Sequence, residues 1–146
     1  MDYHPCVVHP VCFSLRPDDT FLAMELMAGG SLEAALHAPG GDGDTSWLRM
    51  EAGGKRVAAD VAAALNFFPT RSPPVIHRDL KSANVLLSNA GDPANVSAKI
   101  ADFGSAVLKQ RELQTVPRWG GTLEHTPPEV RPGIILWHAC LIIVYL

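Results

Sequence analysis

An amphipathic helix that ends at a proline is the feature that most constrains the fold of this chain. Pro69 ends the helix, and Ser72-Pro73-Pro74 enforces an extended backbone into Val75-Ile76. The apolar positions that fall at helical spacing are Val57, Val61, Ala64, Leu65 and Phe68. Lys55, Arg56 and Asp60 fall on the opposite side. The pattern predicts a helix with one buried face, followed directly by extended chain.

Short strands surround this helix in the sequence. Two apolar runs, Cys6–Leu15 and Thr20–Leu26, flank a turn cluster at 16–19 and predict a hairpin. Residues 85–87 and 98–101 predict two further strands. Ser31 can cap a short helix, Leu32–His37, and residues 38–46 are typical of a loop. The expected fold class is therefore α+β.

Composition limits the classes of function. With 146 residues, 47% of them hydrophobic and 18% charged, the chain is typical of one globular domain. The net charge of -3 gives no reason to expect nucleic acid or an anionic membrane as a partner. Three scattered cysteines indicate neither a disulfide framework nor a zinc site, so a reducing, cytoplasmic compartment is expected. The first residues lack the pattern of a signal peptide. For the apolar tail, 134–146, we favour a buried helix over membrane contact because it is too short to span.

A polar string, His77-Arg78-Asp79-Leu80-Lys81-Ser82-Ala83-Asn84, lies between extended segments. This grouping suits phosphoryl transfer. Asp79 can accept a hydroxyl proton, Lys81 can neutralise charge on the phosphoryl group, and Asn84 can hold a hard metal ion. Alone, the string is equally compatible with a polar loop whose Asp and Asn bond turn amides.

A second motif, Ala101-Asp102-Phe103-Gly104, follows a predicted strand. Asp102 can ligate Mg²⁺ there, Phe103 can pack inward, and Gly104 permits a sharp turn. Alone, it is a strand-end turn. Together with the first string and with residues 121–129 (GTLEHTPPE), in this order, it resembles the catalytic loop, metal-binding Asp and activation segment of protein kinases.

The resemblance extends upstream and covers nearly residues 4–130. Residues 4–8 (HPCVV) are similar to the family segment that leads into its fourth strand, and 23–32 (AMELMAGGSL) to its fifth strand and hinge. The resemblance implies that Met24 is the gatekeeper and that Glu25 and Met27 offer backbone groups to adenine; Leu86 is a further expected cofactor contact. The implied organisation of 1–146 is a partial kinase domain. Its parts are the end of the amino-terminal lobe and hinge (4–27), the carboxyl-terminal lobe core (28–130), and a remnant resembling helix αF (131–146).

The family's roles transfer to matching positions. Asp79 is expected to be the catalytic base, Lys81 the phosphate contact, and Asn84 and Asp102 the Mg²⁺ ligands. A lysine at position 81, two residues after Asp79, is similar to the pattern of Ser/Thr kinases. The string HRDLKSANVLL resembles the tyrosine-kinase-like group, which mainly phosphorylates Ser and Thr. The implied cofactors are ATP and Mg²⁺, and the implied partner is a protein substrate. Arg78 suggests control by phosphorylation. The candidate site is Thr115, which is equally compatible with an ordinary solvated Thr; Thr122 matches the Thr beside the catalytic Asp.

The sequence also departs from the family pattern. The 146 residues contain no GxGxxG loop, and the only lysines are Lys55, Lys81, Lys99 and Lys109. We interpret a stretch between 132 and 133 as deleted relative to the family, and His125 and Pro127 replace the usual Tyr and Ala. We therefore expect little activity and low stability from these residues in isolation. Two alternatives stay open: a kinase-like module that binds a nucleotide or a partner without catalysis, and a membrane-associated chain that uses its tail.

Overall fold

In a computed structural model, residues 3–37, 51–89, 92 and 94–108 are described, and they form an α+β fold. The elements in chain order are β1 (Pro10–Arg16), β2 (Asp19–Met24), α1 (Leu32–His37), α2 (Glu51–Phe67), β3 (Val75–Ile76), β4 (Val85–Leu87), β5 (Ala98–Ile100) and β6 (Val107–Leu108). Short 3-10 turns occupy Phe68–Thr70, Ser82–Asn84 and Phe103–Ser105. The predicted α+β class is confirmed.

Strands β1 and β2 form the predicted antiparallel hairpin, with Arg16 opposite Asp19 at the turn. The first strand begins at Pro10 rather than at Cys6, because residues 6–8 bond to β5 instead. The hairpin exposes large apolar side chains: Val11, Phe13, Leu15, Phe21 and Leu22. It therefore adds little to the core formed by the other described elements.

Helix α2 presents its apolar face to the core as its periodicity predicts. Val57, Val61 and Ala64 are buried, and Phe68 continues the buried row into the 3-10 turn. Burial of such side chains is the main source of stability in a domain of this size. Helix α1 begins as predicted, with the Ser31 Oγ accepting the Ala34 N–H at 3.1 Å.

Strands β4 and β5 form the centre of a hydrogen-bonded ribbon. They pair antiparallel, with Leu86 opposite Lys99. On the free edge of β5, the Val8 N–H donates to the Ile100 carbonyl and the Ile100 N–H donates to the Cys6 carbonyl, both at 2.9 Å. Segment 6–9 thus extends the ribbon by a further strand-like stretch.

Residues 25–30, here called the hinge segment, bond to both edges of this ribbon. At one edge the Glu25 N–H donates to the His9 carbonyl at 3.0 Å. At the other edge the Gly29 N–H donates to the Leu87 carbonyl, and the Leu87 N–H donates to the Gly30 carbonyl, both at 2.8 Å. Gly30 has a φ of 70°, which favours glycine. The hinge segment therefore wraps around the ribbon.

Several predictions lie outside the described residues: the 38–46 loop, the activation segment beyond 108 and the apolar tail. Within the described ranges, no helix is long and apolar enough to cross a membrane.

Candidate active site

His77 anchors the polar string to the end of β5. Its side chain is 5% exposed, and its Nε2 lies 3.0 Å from the Ala101 carbonyl. Nδ1 accepts the Asp79 N–H at 3.4 Å, so Nε2–H is the donor in a neutral ring. Burial lowers the pKa of His77 below 6.5, and the Ala101 hydrogen bond opposes this only in part. A neutral imidazole therefore fixes the residue before Asp102 and the backbone of Asp79.

Asp79, Lys81 and Asn84 form one cluster. Lys81 Nζ lies 3.0 Å from Asp79 Oδ2, and the two side chains are 23% and 11% exposed. Asn84 is buried, and its Nδ2 donates to the Asp79 carbonyl at 2.8 Å and to Asp79 Oδ2 at 3.2 Å. These contacts orient the Asp79 carboxylate between an ammonium and an amide.

A backbone hydrogen bond to this cluster determines where Asp102 lies. The Ala101 N–H donates to the Asn84 carbonyl at 2.8 Å, which places the next residue beside the polar string. Asp102 is exposed and has a φ of 60°, and its Oδ1 accepts the Gly104 N–H at 3.2 Å. Left-handed backbone is tolerated by Asp better than by most residues.

Phe103 packs inward, as the motif suggested. Its ring lies 4.9 Å from the His77 ring and 5.6 Å from the Phe68 ring, both in edge-to-face arrangement. The Asp102 loop is thus anchored by an aromatic contact to the same histidine that holds Asp79.

The carboxylate and amide oxygens near Asn84 are of the type that binds a magnesium ion. The Asp79 Oδ2 lies 3.2 Å from the Asn84 Nδ2, and Asp102 directly follows the residue whose N–H donates to the Asn84 carbonyl. Because the Asn84 Nδ2 is engaged as a donor, its Oδ1 is the hard oxygen left for a cation. Across the described ranges, no three His, Cys, Asp or Glu side chains form a metal cluster, so such an ion would need further oxygens from its nucleotide or water.

The residues expected around adenine lie where the hinge segment meets the ribbon. Met27 is buried with Val8 and Ala101, and Leu86 packs against this group. Met24 is 48% exposed at the end of β2. Among the described residues, the Glu25 carbonyl and the Met27 N–H enter no backbone hydrogen bond. Other described peptide groups therefore leave one acceptor and one donor of the hinge segment unbonded.

Arg78 has a φ of 66°, and its Nε donates to the Ser105 carbonyl at 2.5 Å. The guanidinium therefore lies against the loop that follows Asp102. Thr115, the expected phosphorylation site, and Thr122, expected beside Asp79, lie outside the described residues.

Sequence reasoning missed two polar side chains that support this site. The helical periodicity predicts that Asp60 is on the exposed side of its helix, but its Oδ2 accepts the Ala98 N–H at 2.8 Å. Lys99 was read only as part of a strand, but it forms an ion pair with Glu25 at 2.7 Å. The sequence could have indicated a role for Lys99, because it is a charged residue inside the apolar run 98–101. No feature of the sequence indicates the role of Asp60.

A catalytic-loop cluster, an adjacent Asp-Phe-Gly turn and a hinge segment bonded to the ribbon are the features of a protein kinase core. The profile of the protein kinase domain family matches residues 1–133, so the chain belongs to the protein kinase domain family.

Its relatives include Ser/Thr kinases. The chain is 32% identical over 147 aligned residues to the serine/threonine-protein kinase CTR1 of Arabidopsis thaliana, covering 92% of this chain and 17% of that protein. It is 32% identical to the receptor-interacting serine/threonine-protein kinase 2 of Bos taurus, covering 81% and 21%. It is 36% identical to a probable serine/threonine-protein kinase, pats1, of Dictyostelium discoideum, covering 73% and 3%. The chain thus spans about a fifth or less of these relatives.

Proposed function

We propose that these residues are the catalytic part of a protein serine/threonine kinase, which transfers the γ-phosphate of ATP to Ser or Thr hydroxyls of a protein. The observation that carries the proposal is the cluster of Asp79, Lys81 and Asn84, bonded through the Asn84 carbonyl to the Asp102 loop. Similarity to Ser/Thr kinases supports the choice of substrate hydroxyl. A cytoplasmic location is part of the proposal.

In this proposal Asp79 accepts the proton of the substrate hydroxyl. Its carboxylate is oriented by Asn84 and by Lys81, and the Asp79 N–H is held by His77. Lys81, whose Nζ lies 3.0 Å from Asp79 Oδ2, would offset negative charge that develops on the transferred group. The chain's residues therefore position a base and a cation within one short loop.

Asn84 and Asp102 would hold Mg²⁺, which would neutralise negative charge on the phosphate groups of the nucleotide. The Glu25 carbonyl and Met27 N–H would bond the adenine edge, with Met24 and Leu86 as apolar contacts. These assignments rest on the positions of the residues around the ribbon. Arg78 and a phosphate on Thr115 are proposed as the regulatory pair, with Thr122 beside Asp79.

The alternative is a kinase-like module that binds nucleotide or a partner without catalysis. The three side chains that phosphate transfer would use, Asp79, Asn84 and Asp102, are all present, which favours the catalytic candidate over this one.

Titration with Mg²⁺-ATP, followed by phosphate transfer to a generic protein substrate, separates the two candidates. We expect nucleotide binding, with any transfer abolished by Asp79→Ala. Binding without transfer, unchanged in Asp79→Ala, would support the module. Failure to bind Mg²⁺-ATP would contradict the kinase and leave only a module that binds a partner.

A further inference from the structure

An ion pair between Lys99 and Glu25 connects strand β5 to the hinge segment. Lys99 Nζ lies 2.7 Å from Glu25 Oε2 and 2.8 Å from Oε1, so one ammonium engages both carboxylate oxygens. The side chains are 13% and 29% exposed. Pairs that are shielded from water and doubly bonded couple their segments more strongly than surface pairs do.

Further contacts fix each partner. The Glu25 Oε1 also accepts the His9 N–H at 2.8 Å, which ties the carboxylate to the edge stretch of the ribbon. The Lys99 ammonium lies 3.5 Å from the Tyr3 hydroxyl and 5.9 Å from the centroid of its ring. Both ions of the pair therefore have partners that restrict their rotamers.

The pKa values agree with this geometry. Partial burial raises the pKa of Glu25, but the bonds from Lys99 and from the His9 N–H outweigh it and lower the pKa overall. Burial lowers the pKa of Lys99, but the bond to Glu25 outweighs it and raises the pKa. Both groups are thus charged at neutral pH.

The pair occupies the face of the ribbon that the proposed nucleotide would use. Lys99 is opposite Leu86 in the β4–β5 ladder, and Ala98 and Ile100 on either side of it are buried in the core. Since side chains alternate along a strand, Lys99 and Leu86 share the face away from that core. Lys99 also lies on the strand that leads directly to Asp102.

We propose that Lys99 and Glu25 are positioning residues that hold the hinge segment at a fixed separation from the Asp102 loop, so that one nucleotide can engage both. The nucleotide-binding role in this inference rests on the proposed function. The coupling of the two segments rests on the ion pair alone. A ligand that spans both segments depends on their separation, whereas one that contacts only the hinge segment does not.

The first test is amide hydrogen exchange of the nucleotide-free chain. Lys99→Met keeps the apolar stem and removes the charge, and we expect exchange at the Glu25 and Ala101 amides to rise about tenfold. Lys99→Arg should restore protection. The matched control is Lys55→Met, on the exposed side of α2, which should leave both amides unchanged. Unchanged exchange in Lys99→Met would overturn the inference whatever the chain binds.

The second test compares Mg²⁺-ADP with adenosine. We expect Lys99→Met and Glu25→Gln each to weaken Mg²⁺-ADP binding about tenfold and adenosine binding less than about twofold, with a double variant no worse than either. Equal losses for both ligands would indicate a merely structural pair and overturn the positioning role. If the unmodified chain binds neither ligand, the proposed function fails and the nucleotide role of the pair fails with it.

Discussion

The carboxylate of Asp60, on helix α2, accepts the backbone N–H of Ala98 at the first residue of strand β5, with an Oδ2–N distance of 2.8 Å. Its other oxygen, Oδ1, lies 3.7 Å from the Cys6 Sγ. One helical side chain therefore satisfies a peptide group at the start of the strand that leads to Asp102.

Removing this carboxylate should destabilise the chain. We expect Asp60→Ala to lower the free energy of unfolding by about 2 kcal/mol, because the Ala98 N–H loses a charged acceptor. Asp60→Asn keeps an acceptor oxygen and should cost about half as much. Denaturant titration measures both, with Asn66→Ala, an exposed site on the same helix, as the control. Equal midpoints for Asp60→Ala and Asn66→Ala would contradict this role.

His77 should make stability depend on pH. Its pKa is lowered in the folded chain, so the unfolded chain binds the proton first as pH falls below about 6.5. The contribution of His77 to the free energy of unfolding should therefore be complete above pH 6.5. It should decrease as the pH falls from 6.5 towards the lowered pKa of the folded chain. Denaturant midpoints between pH 5 and 7.5 check this slope. His77→Gln should flatten it, and a slope that persists unchanged in that variant would exclude His77 as its source.

Asp102→Asn should separate magnesium binding from stability. Asn also tolerates the left-handed backbone at this position, and Asp102 is exposed, so the unfolding free energy should change by less than about 1 kcal/mol. The enhancement of ADP binding by Mg²⁺ should fall at least about tenfold, because a hard anionic ligand is lost. Calorimetric titration of ADP with and without Mg²⁺ provides the measurement. Retained enhancement would argue that Asp102 is not a ligand.

Cys6 should be much less reactive than Cys12. Cys6 is buried, and burial together with the neighbouring Asp60 raises the pKa of its thiol, whereas Cys12 is exposed on the hairpin. Since the thiolate is the nucleophile, maleimide at pH 7.5 should label Cys12 first by at least about tenfold. Peptide mapping by mass spectrometry distinguishes the two sites. Faster labelling of Cys6 would mean that segment 6–9 opens readily from β5.

The sequence predicted the local elements well because each had its own chemical signature. Pro69 marked the end of α2, residues 16–19 marked the hairpin turn, and Ser31 marked the cap of α1. The polar site was also foreseeable, since Asp79, Lys81 and Asn84 are close in sequence and can meet within one turn.

Contacts between distant segments could not be predicted in this way. Segment 6–9 was expected to begin the hairpin strand, yet it bonds to β5 through peptide groups that every sequence carries. The pairs Asp60–Ala98 and Lys99–Glu25 join residues 38 and 74 positions apart, and no local pattern specifies such partners.

Apart from the contacts of the Glu25 side chain with Lys99 and His9, the hinge segment is joined to the ribbon through peptide N–H and carbonyl groups at residues 25, 29 and 30. Such bonds are indifferent to the side chains that the peptide carries, so the frame can persist while positions such as Met24 and Leu86 are exchanged. An inhibitor that bonded only to the peptide groups would therefore discriminate poorly among kinases. In the proposed nucleotide site, selectivity for this chain would come from side chains such as these two.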